Sequence, residues 1–433
     1  MRIRWQEFFN NENDSLAKDV TLEQKAVIVG HIGLMLLSCG TGAWRVRSSM
    51  NKIARSLGIT CNSDIGLVSL SYTCIDHEGK SFSQSLSLPS TGVNTTKLAK
   101  LERFVNEFKI DGGDWTISKI HQRLDEISKM KSRYNPLQVA LASGLACGGF
   151  IFLLGGGIFE VICAFLGALC GNYVRRKMAD HKMTILANIA VAVTVACCVY
   201  VLAFYLIHFF YPISLRHLDG YIGAMLFVIP GFPFITAGLD MSKLDMRSGL
   251  ERLTYAIMIV VVATAIGWAV ALCWNLHPQD FLPLGLSPAL MTILRIIASF
   301  CGVFGFSIMF NSQPKMAATA GLIGACANTL RLSLVDWSHV PPAAAAFIGA
   351  LLAGILASLF RRRVGYPRIA LTVPSIVIMV PGLYMYRAMF NLGITSINEG
   401  ALWGVKALMI VLALPLGLIT ARIIADKDWR HAG

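Results

Sequence analysis

Leu226-Phe227-Val228-Ile229-Pro230-Gly231 lies within a long apolar run, and a run of the same kind, Val377-Ile378-Met379-Val380-Pro381-Gly382, returns further along the chain. The offset, 382 minus 231, is 151 residues. At that offset, without gaps, Gly249 meets Gly400, and Ala256-Ile257-Met258-Ile259-Val260 meets Ala407-Leu408-Met409-Ile410-Val411. Self-similarity at a fixed offset marks an internal repeat. Proline removes a backbone donor and collides one turn back, and glycine permits the resulting bend. Each copy is therefore expected to break a helix near its middle and leave backbone groups to meet a ligand. A packing kink is the plainer reading, common in membrane helices; its doubling at one offset favours a functional break.

The surroundings of both copies are apolar. Of 433 residues, 55% are hydrophobic and 15% charged, against about a quarter charged in soluble domains. Residues 1–134 carry 18 basic and 14 acidic side chains, and residues 135–433 carry 20 and 11. A polar domain thus precedes a membrane part more than twice as long. The net charge of +13 is too small and too dispersed for nucleic-acid binding and reads as an orientation signal between apolar spans.

At about 20 apolar residues per crossing, ten spans are expected, at 137–155, 157–174, 183–209, 221–240, 253–275, 284–310, 316–335, 342–360, 369–390 and 402–421. With the polar domain cytoplasmic, the inner loops and tail hold Arg175, Arg176, Lys177, Lys182, Lys243, Arg247, Arg252, Lys315, Arg361, Arg362, Arg363, Arg368, Arg422, Lys427 and Arg430. The outer loops hold only Arg216. That bias, lost if one span is added or dropped, supports ten spans with both termini cytoplasmic. The two Pro-Gly copies are five spans apart, an odd number, so they run in opposite directions. The expected fold is mainly α and polytopic: a small α+β domain, 1–134, then two inverted five-helix halves, 135–275 and 276–433. Such halves are a hallmark of secondary transporters, whose sites lie near the midplane at broken helices.

Met1 to Val20 shows no apolar core followed by a cleavage site, so no secretory signal is read there. The eleven cysteines form no CxxC pair or metal-ligand spacing, which leaves no metal site or cofactor to expect. No GxxxxGK[ST] loop is present, so an ion gradient rather than ATP is the expected energy source. In the polar domain, apolar spacing predicts helices at 22–37 and 43–57. Strands at Ile65–Ile75 and Lys80–Leu88 should form a hairpin around His77-Glu78-Gly79, followed by helices near 95–108 and 116–131. Arg45, Arg47, Lys52 and Arg55 are expected on a solvated helix face, with a membrane-surface or regulatory patch as the alternative.

Ionisable residues inside spans are costly and point to function. They are Glu160, Asp240, Arg295, Arg331, Arg387 and Lys406. Glu160 follows the Gly155-Gly156-Gly157 turn and could sit at the outer headgroups. Asp240 has Asn391 as its repeat partner, and only the acid of that pair can change charge, which suits a proton carrier; a helix-end carboxylate paired with Lys243 or Arg247 is the bland alternative. A guanidinium such as Arg387 can hold a substrate carboxylate bidentately, or can pair internally or snorkel.

Three groups of residues resemble the threonine/serine exporter family. Gly42-Ala43-Trp44-Arg45-Val46-Arg47 with Ala54-Arg55-Ser56-Leu57-Gly58 resembles its N-terminal signature. Pro230-Gly231-Phe232-Pro233, Asp240, Ser248-Gly249 and Arg252 resemble the motif of its first membrane half, and Pro381-Gly382 with Tyr386-Arg387-Ala388-Met389 that of its second. Members carrying both halves in one chain are similar to this one. The resemblance implies proton-driven export of threonine and serine across the bacterial inner membrane, with succinate export as an alternative because some split relatives are linked to that dicarboxylate. Where the family commonly has an aspartate after the glycines of the second span, this chain has Glu160. The family's polar domain has been described as a hydrolase, but here there is no G-x-S-x-G elbow, and His31, His77 and His121 have no motif tying them to a nucleophile. A membrane-anchored enzyme or sensor is accordingly the least favoured reading, and the chain is read as a non-enzyme. Its expected partners are a small amino acid, protons and the lipid bilayer, without nucleic acid, and a homo-oligomer stays open.

Overall fold

The computed structural model describes residues 15–426, the side chains of 362–364 excepted. The reading of Met1 to Asp14, the inner placement of Lys427 and Arg430, and the side chains of Arg362 and Arg363 lie outside the described residues. The chain divides into two compact units. One runs up to Ser132 and takes in Thr236–Leu253; the other comprises Arg133–Ile235 and the chain from Thr254 onward.

The first unit holds α1 (Leu22–Ser38), α2 (Ala43–Ser56), β1 (Thr60–Ile65), β2 (Ser69–Ile75), β3 (Ser81–Ser87), α3 (Thr95–Asp111) and α4 (Ile117–Lys129). The starts follow capping chemistry: Thr21 and Gln24 form a capping box on α1, and Asn94 and Thr116 accept from the first-turn amides of α3 and α4. The strands pair antiparallel in the order β1-β2-β3. There are thus three strands where two were expected, and the segment read as one strand from Ile65 is a turn followed by β2. Thr60-Cys61-Asn62-Ser63-Asp64 is too polar to read as a strand, yet its alternate residues Ser63 and Ile65 are buried with the strand period of two. Helices α1 and α2 pack on the sheet and on each other, burying Val27, Ile28, Ile32, Leu36, Val46, Met50 and Ile53 with Leu70 and Phe108.

The solvated face expected for α2 holds for Lys52 and Arg55, both exposed, and is corrected for Arg45 and Arg47. Arg45, only 12% exposed, pairs with Glu102, and Arg47 pairs with Asp245 while its Nε donates to the Ser63 carbonyl. Apolar periodicity located the helix face but could not reveal acids distant in sequence.

The remaining helices are α5 (Pro136–Leu153), α6 (Ile158–Asp180), α7 (Ile185–Phe210), α8 (Tyr221–Met225), α9 (Gly231–Met241), α10 (Met246–Trp274), α11 (Pro288–Met309), α12 (Pro314–Ser338), α13 (Pro342–Val364), α14 (Arg368–Val377), α15 (Gly382–Gly393) and α16 (Ile397–Ala425). Among the described residues, eight are long and apolar enough to cross a bilayer, and two bent pairs, Leu215–Val228 with Gly231–Met241 (52°) and Arg368–Val377 with Gly382–Gly393 (48°), raise the number to as many as ten where each pair is one span. The protein is a polytopic membrane protein with a small α+β domain, and every expected span coincides with a helix or bent pair.

The element order occurs twice. Helices α10 and α16 both have 29 residues, and their first and last residues differ by the same 151. Packing repeats as well: α5–α6, α6–α7, α5–α8, α6–α8 and α7–α8 recur as α11–α12, α12–α13, α11–α14, α12–α14 and α13–α14. Helices α5 and α11 join the two sets along a seam of small residues. A Cβ on Gly149 would stand 2.7 Å from the Ala298 carbonyl, so the backbones touch where larger side chains would hold them apart. The breaks meet as well: space beside Gly231 is filled by Val377 and Val380, and that beside Gly382 by Leu226 and Ile229.

Candidate functional site

At the break before α15 a cavity of about 520 Å³ opens, a size suited to small ligands. Its lining includes Pro381, Gly382, Tyr384, Arg331, Arg387 and Asp280. Gly382 has lost its helical partner and turns back, donating to the Val380 carbonyl at 2.9 Å. Arg387 lies one and a half turns into α15. Its Nη2 donates to Asp280 Oδ1 at 2.8 Å and to the Gln279 carbonyl at 3.0 Å, and its guanidinium lies 4.7 Å from the Trp403 ring centre, within cation–π range. Arg331, on α12, donates through Nε to Asn328 Oδ1 at 2.9 Å, and among the described residues no acid forms an ion pair with it. The wall therefore carries one compensated and one uncompensated guanidinium beside an exposed carboxylate, which suits a ligand carboxylate with room for an ammonium group.

On the apolar side of this break, Tyr221 of α8 and Tyr386 of α15, both fully buried, join hydroxyl to hydroxyl at 2.5 Å. This bond ties the two bent pairs together.

Glu160 stands apart from the cavity lining and is 2% exposed. Its Oε2 accepts from the Gly157 amide at 2.9 Å, capping its own helix, and Oε1 lies 2.6 Å from His217 Nδ1. With the carboxylate ionised, Nδ1 carries the proton. Tyr200 donates to the His217 carbonyl at 2.6 Å, which fixes the backbone that presents the imidazole.

Asp240 belongs to the first unit. It is fully buried, with Arg252 Nε 3.2 Å away and Ser248 Oγ donating to Oδ2 at 3.0 Å. Its partner is thus Arg252, neither Lys243 nor Arg247; Arg247 pairs with Asp64 and Glu251. Arg252 also donates to the Gly40 and Thr41 carbonyls at 3.3 and 2.7 Å. The start of α2 faces the same carboxylate through the Ala43 amide, an N-terminal arrangement that favours a negative charge. Gly42 is required there, since a Cβ on it would stand 2.5 Å from Asp240 Oδ1. Two motifs nearly 200 residues apart therefore form one cluster.

The other expected residues scatter. Arg295 is held internally by Asp336. Asn391 donates to the Arg387 carbonyl one turn back at 2.8 Å, an ordinary helix bond. Pro381 and Gly382 line the cavity, whereas Pro230 and Gly231 do not. Sequence reasoning missed His217, Asp280 and Trp403. Asp280 had a signal, being the one charged residue between α10 and α11; His217 and Trp403 had none.

Residues 27–274 match the family described as "Putative threonine/serine exporter", and residues 295–424 match "Threonine/Serine exporter, ThrE". The "Probable threonine/serine exporter" of Mycobacterium tuberculosis is 25% identical, over 92% of this chain and 76% of its own length. The "Probable succinate transporter subunit YjjP" of Escherichia coli is 26% identical, over 59% of this chain and 98% of its own. "Pheromone-regulated membrane protein 10" of Debaryomyces hansenii is 22% identical, over 71% of this chain and 31% of its own. No solved structure matches.

Proposed function

The chain belongs to the threonine/serine exporter family, and from that premise we propose that it exports small hydroxy amino acids such as threonine and serine, driven by the proton gradient of the bacterial inner membrane. The supporting observation is the cavity at the second break, where Arg331 has no acidic partner among the described residues and Asp280 is available to an ammonium group. Arg331 and Arg387 bind the substrate carboxylate. Asp280, on binding the ammonium, loosens its hold on Arg387. The two five-helix halves, 135–275 and 276–433, run in opposite directions across the bilayer, with the polar domain and both termini cytoplasmic. The chain performs no catalysis in this reading.

Asp240 is the proton carrier. Its proton would neutralise the partner of Arg252 and weaken the clamp that Arg252 makes on the Gly40 and Thr41 carbonyls. Glu160, hydrogen-bonded to His217, is a second proton-binding group.

A second reading, dicarboxylate export, is favoured by the pair of arginines on one cavity wall and by the printed name of the Escherichia coli relative. Efflux of labelled threonine from preloaded cells, measured with competing serine and with competing succinate, separates the two. Competition by serine alone supports amino-acid export, and competition by succinate alone overturns it. The Asp240→Asn variant, isosteric with the amide of the other half, should lose efflux driven by an imposed pH gradient; normal efflux in that variant would remove Asp240 from the proton path.

A further inference from the structure

The sheet of the polar unit holds two thiols that transport does not use. At the β1–β2 turn the Gly66 amide donates to the Ser69 carbonyl at 2.9 Å. Antiparallel ladders alternate between hydrogen-bonded and open residue pairs. Stepping from 66–69, the pairs 64–71, 62–73 and 60–75 are hydrogen-bonded, and Cys61 opposite Cys74 falls on an open pair. Open pairs set their Cα atoms about 4.5 Å apart with side chains nearest, at the short end of the roughly 4.4–6.8 Å that a disulfide spans.

Both cysteines are free and lie on the sheet face that also carries Ile65, Leu70 and Tyr72. Cys61 Sγ donates to the Asn62 carbonyl at 3.9 Å, and the facing thiols perturb each other, drawing Cys61 below its ordinary range and, together with burial, pushing Cys74 up. Cys61 is half-buried on the edge strand, and Cys74 is fully buried behind it. One is placed to attack and the other to resolve.

We propose that Cys61 and Cys74 form a reversible thiol–disulfide site whose oxidant is a low-molecular-weight disulfide of the glutathione type. The Cys61 thiolate attacks one sulfur of that disulfide, forming a mixed disulfide and releasing one small thiolate, which takes up the proton Cys61 lost. Cys74 then gives up its proton and attacks the Cys61 sulfur, releasing the second small thiol. Two protein thiols are oxidised, one external disulfide is reduced to two thiols, and nothing else is consumed. Thiol exchange through the exposed edge can reopen the closed bridge, as suits sensing where thiols are otherwise kept reduced. The bridge lies on the strand that grips Thr236–Leu253, since the Ser63 carbonyl accepts from Arg47, itself paired with Asp245, and Asp64 pairs with Arg247.

The test is a titration of the full chain in native membrane vesicles with oxidised and reduced glutathione, followed by denaturing alkylation and peptide mapping. Cys61 and Cys74 should lose alkylation together as a cross-linked peptide pair two hydrogens lighter, and dithiothreitol should restore both. In Cys61→Ser, Cys74 should stay alkylatable throughout. Two thiols that remain free at the highest ratio overturn the proposal, as does a stable glutathione adduct on Cys61 with Cys74 still free. The wild-type map decides the question even if the variant fails to fold.

Discussion

Replacing Arg252 by methionine preserves most of the side-chain length and removes the charge from a site where the two partners are 3% and 0% exposed. The loss strands the Asp240 carboxylate in the interior and takes a donor from the Gly40 and Thr41 carbonyls. Breaking one side of a buried pair costs about 3–5 kcal/mol, because the remaining charge has neither water nor partner. Asp240→Asn leaves the mirror-image problem, a buried guanidinium facing an amide. The double variant strands no charge, so its cost should fall short of the sum of the two singles by at least about 2 kcal/mol. The unfolding free energy of all four proteins, in detergent micelles, can be followed by urea-dependent proteolysis with cleavage mapped to α2 and to the 241–246 turn. Additivity within about 0.5 kcal/mol would refute the coupling, and with it the view of the Gly42 motif and Asp240 as one cluster.

In the polar unit, His31 and His121 stack with ring centres 5.9 Å apart, and burial holds them down to about 3 and about 4, respectively. Their folded values lie below the unfolded 6.5, so the unfolded chain binds more protons as the pH falls. The stability they confer is complete above pH 6.5 and is lost on acidification down to about 4 for His121 and about 3 for His31, by about 1.4 kcal/mol per histidine per pH unit. Hydrogen-exchange opening energies of α1 and α4 in the full chain should therefore drop between pH 7 and pH 5, with about half the drop gone in His31→Leu; a flat profile would contradict the burial. At the α5–α11 seam, Gly149→Leu should separate the two backbones and lower stability by about 1–3 kcal/mol, read as a lower thermal aggregation midpoint. Leu141→Ala, 45% exposed on the same helix, should change that midpoint little, and equal effects would undo the close-packing account.

The long apolar helices were legible because hydrophobic length is a property of neighbouring residues, and the Pro-Gly breaks because proline acts on its own helix. The third strand was hidden for the opposite reason: Thr60 to Asp64 is polar, and its pairing is set by β2 across a turn. Among the candidate residues, Asp240 and Arg387 were singled out from the cost of burying charge, but their ion-pair partners were not. Arg252 lies twelve residues beyond Asp240 around a turn, and Asp280 is about a hundred residues before Arg387, distances over which periodicity carries no information. Arg295 was a candidate by the same cost argument and proved to be held by Asp336, since sequence cannot tell a charge awaiting a ligand from one already satisfied.

The polar unit is interleaved with the membrane chain, since Thr236–Leu253 is part of it while α5, α6 and α7 come between. A covalent cut at Ser132 would therefore yield two incomplete pieces, one lacking Asp245, the acid that pairs with Arg47, and the other carrying Asp240 without the α2 terminus that faces it. A cut in the 275–287 connection would separate no part of this unit from the rest. The places at which such a chain can be divided into separate genes, or joined from them, are thus limited by eighteen residues around the α9–α10 turn, and apparent domain borders read from polarity alone would mislead anyone choosing where to truncate it.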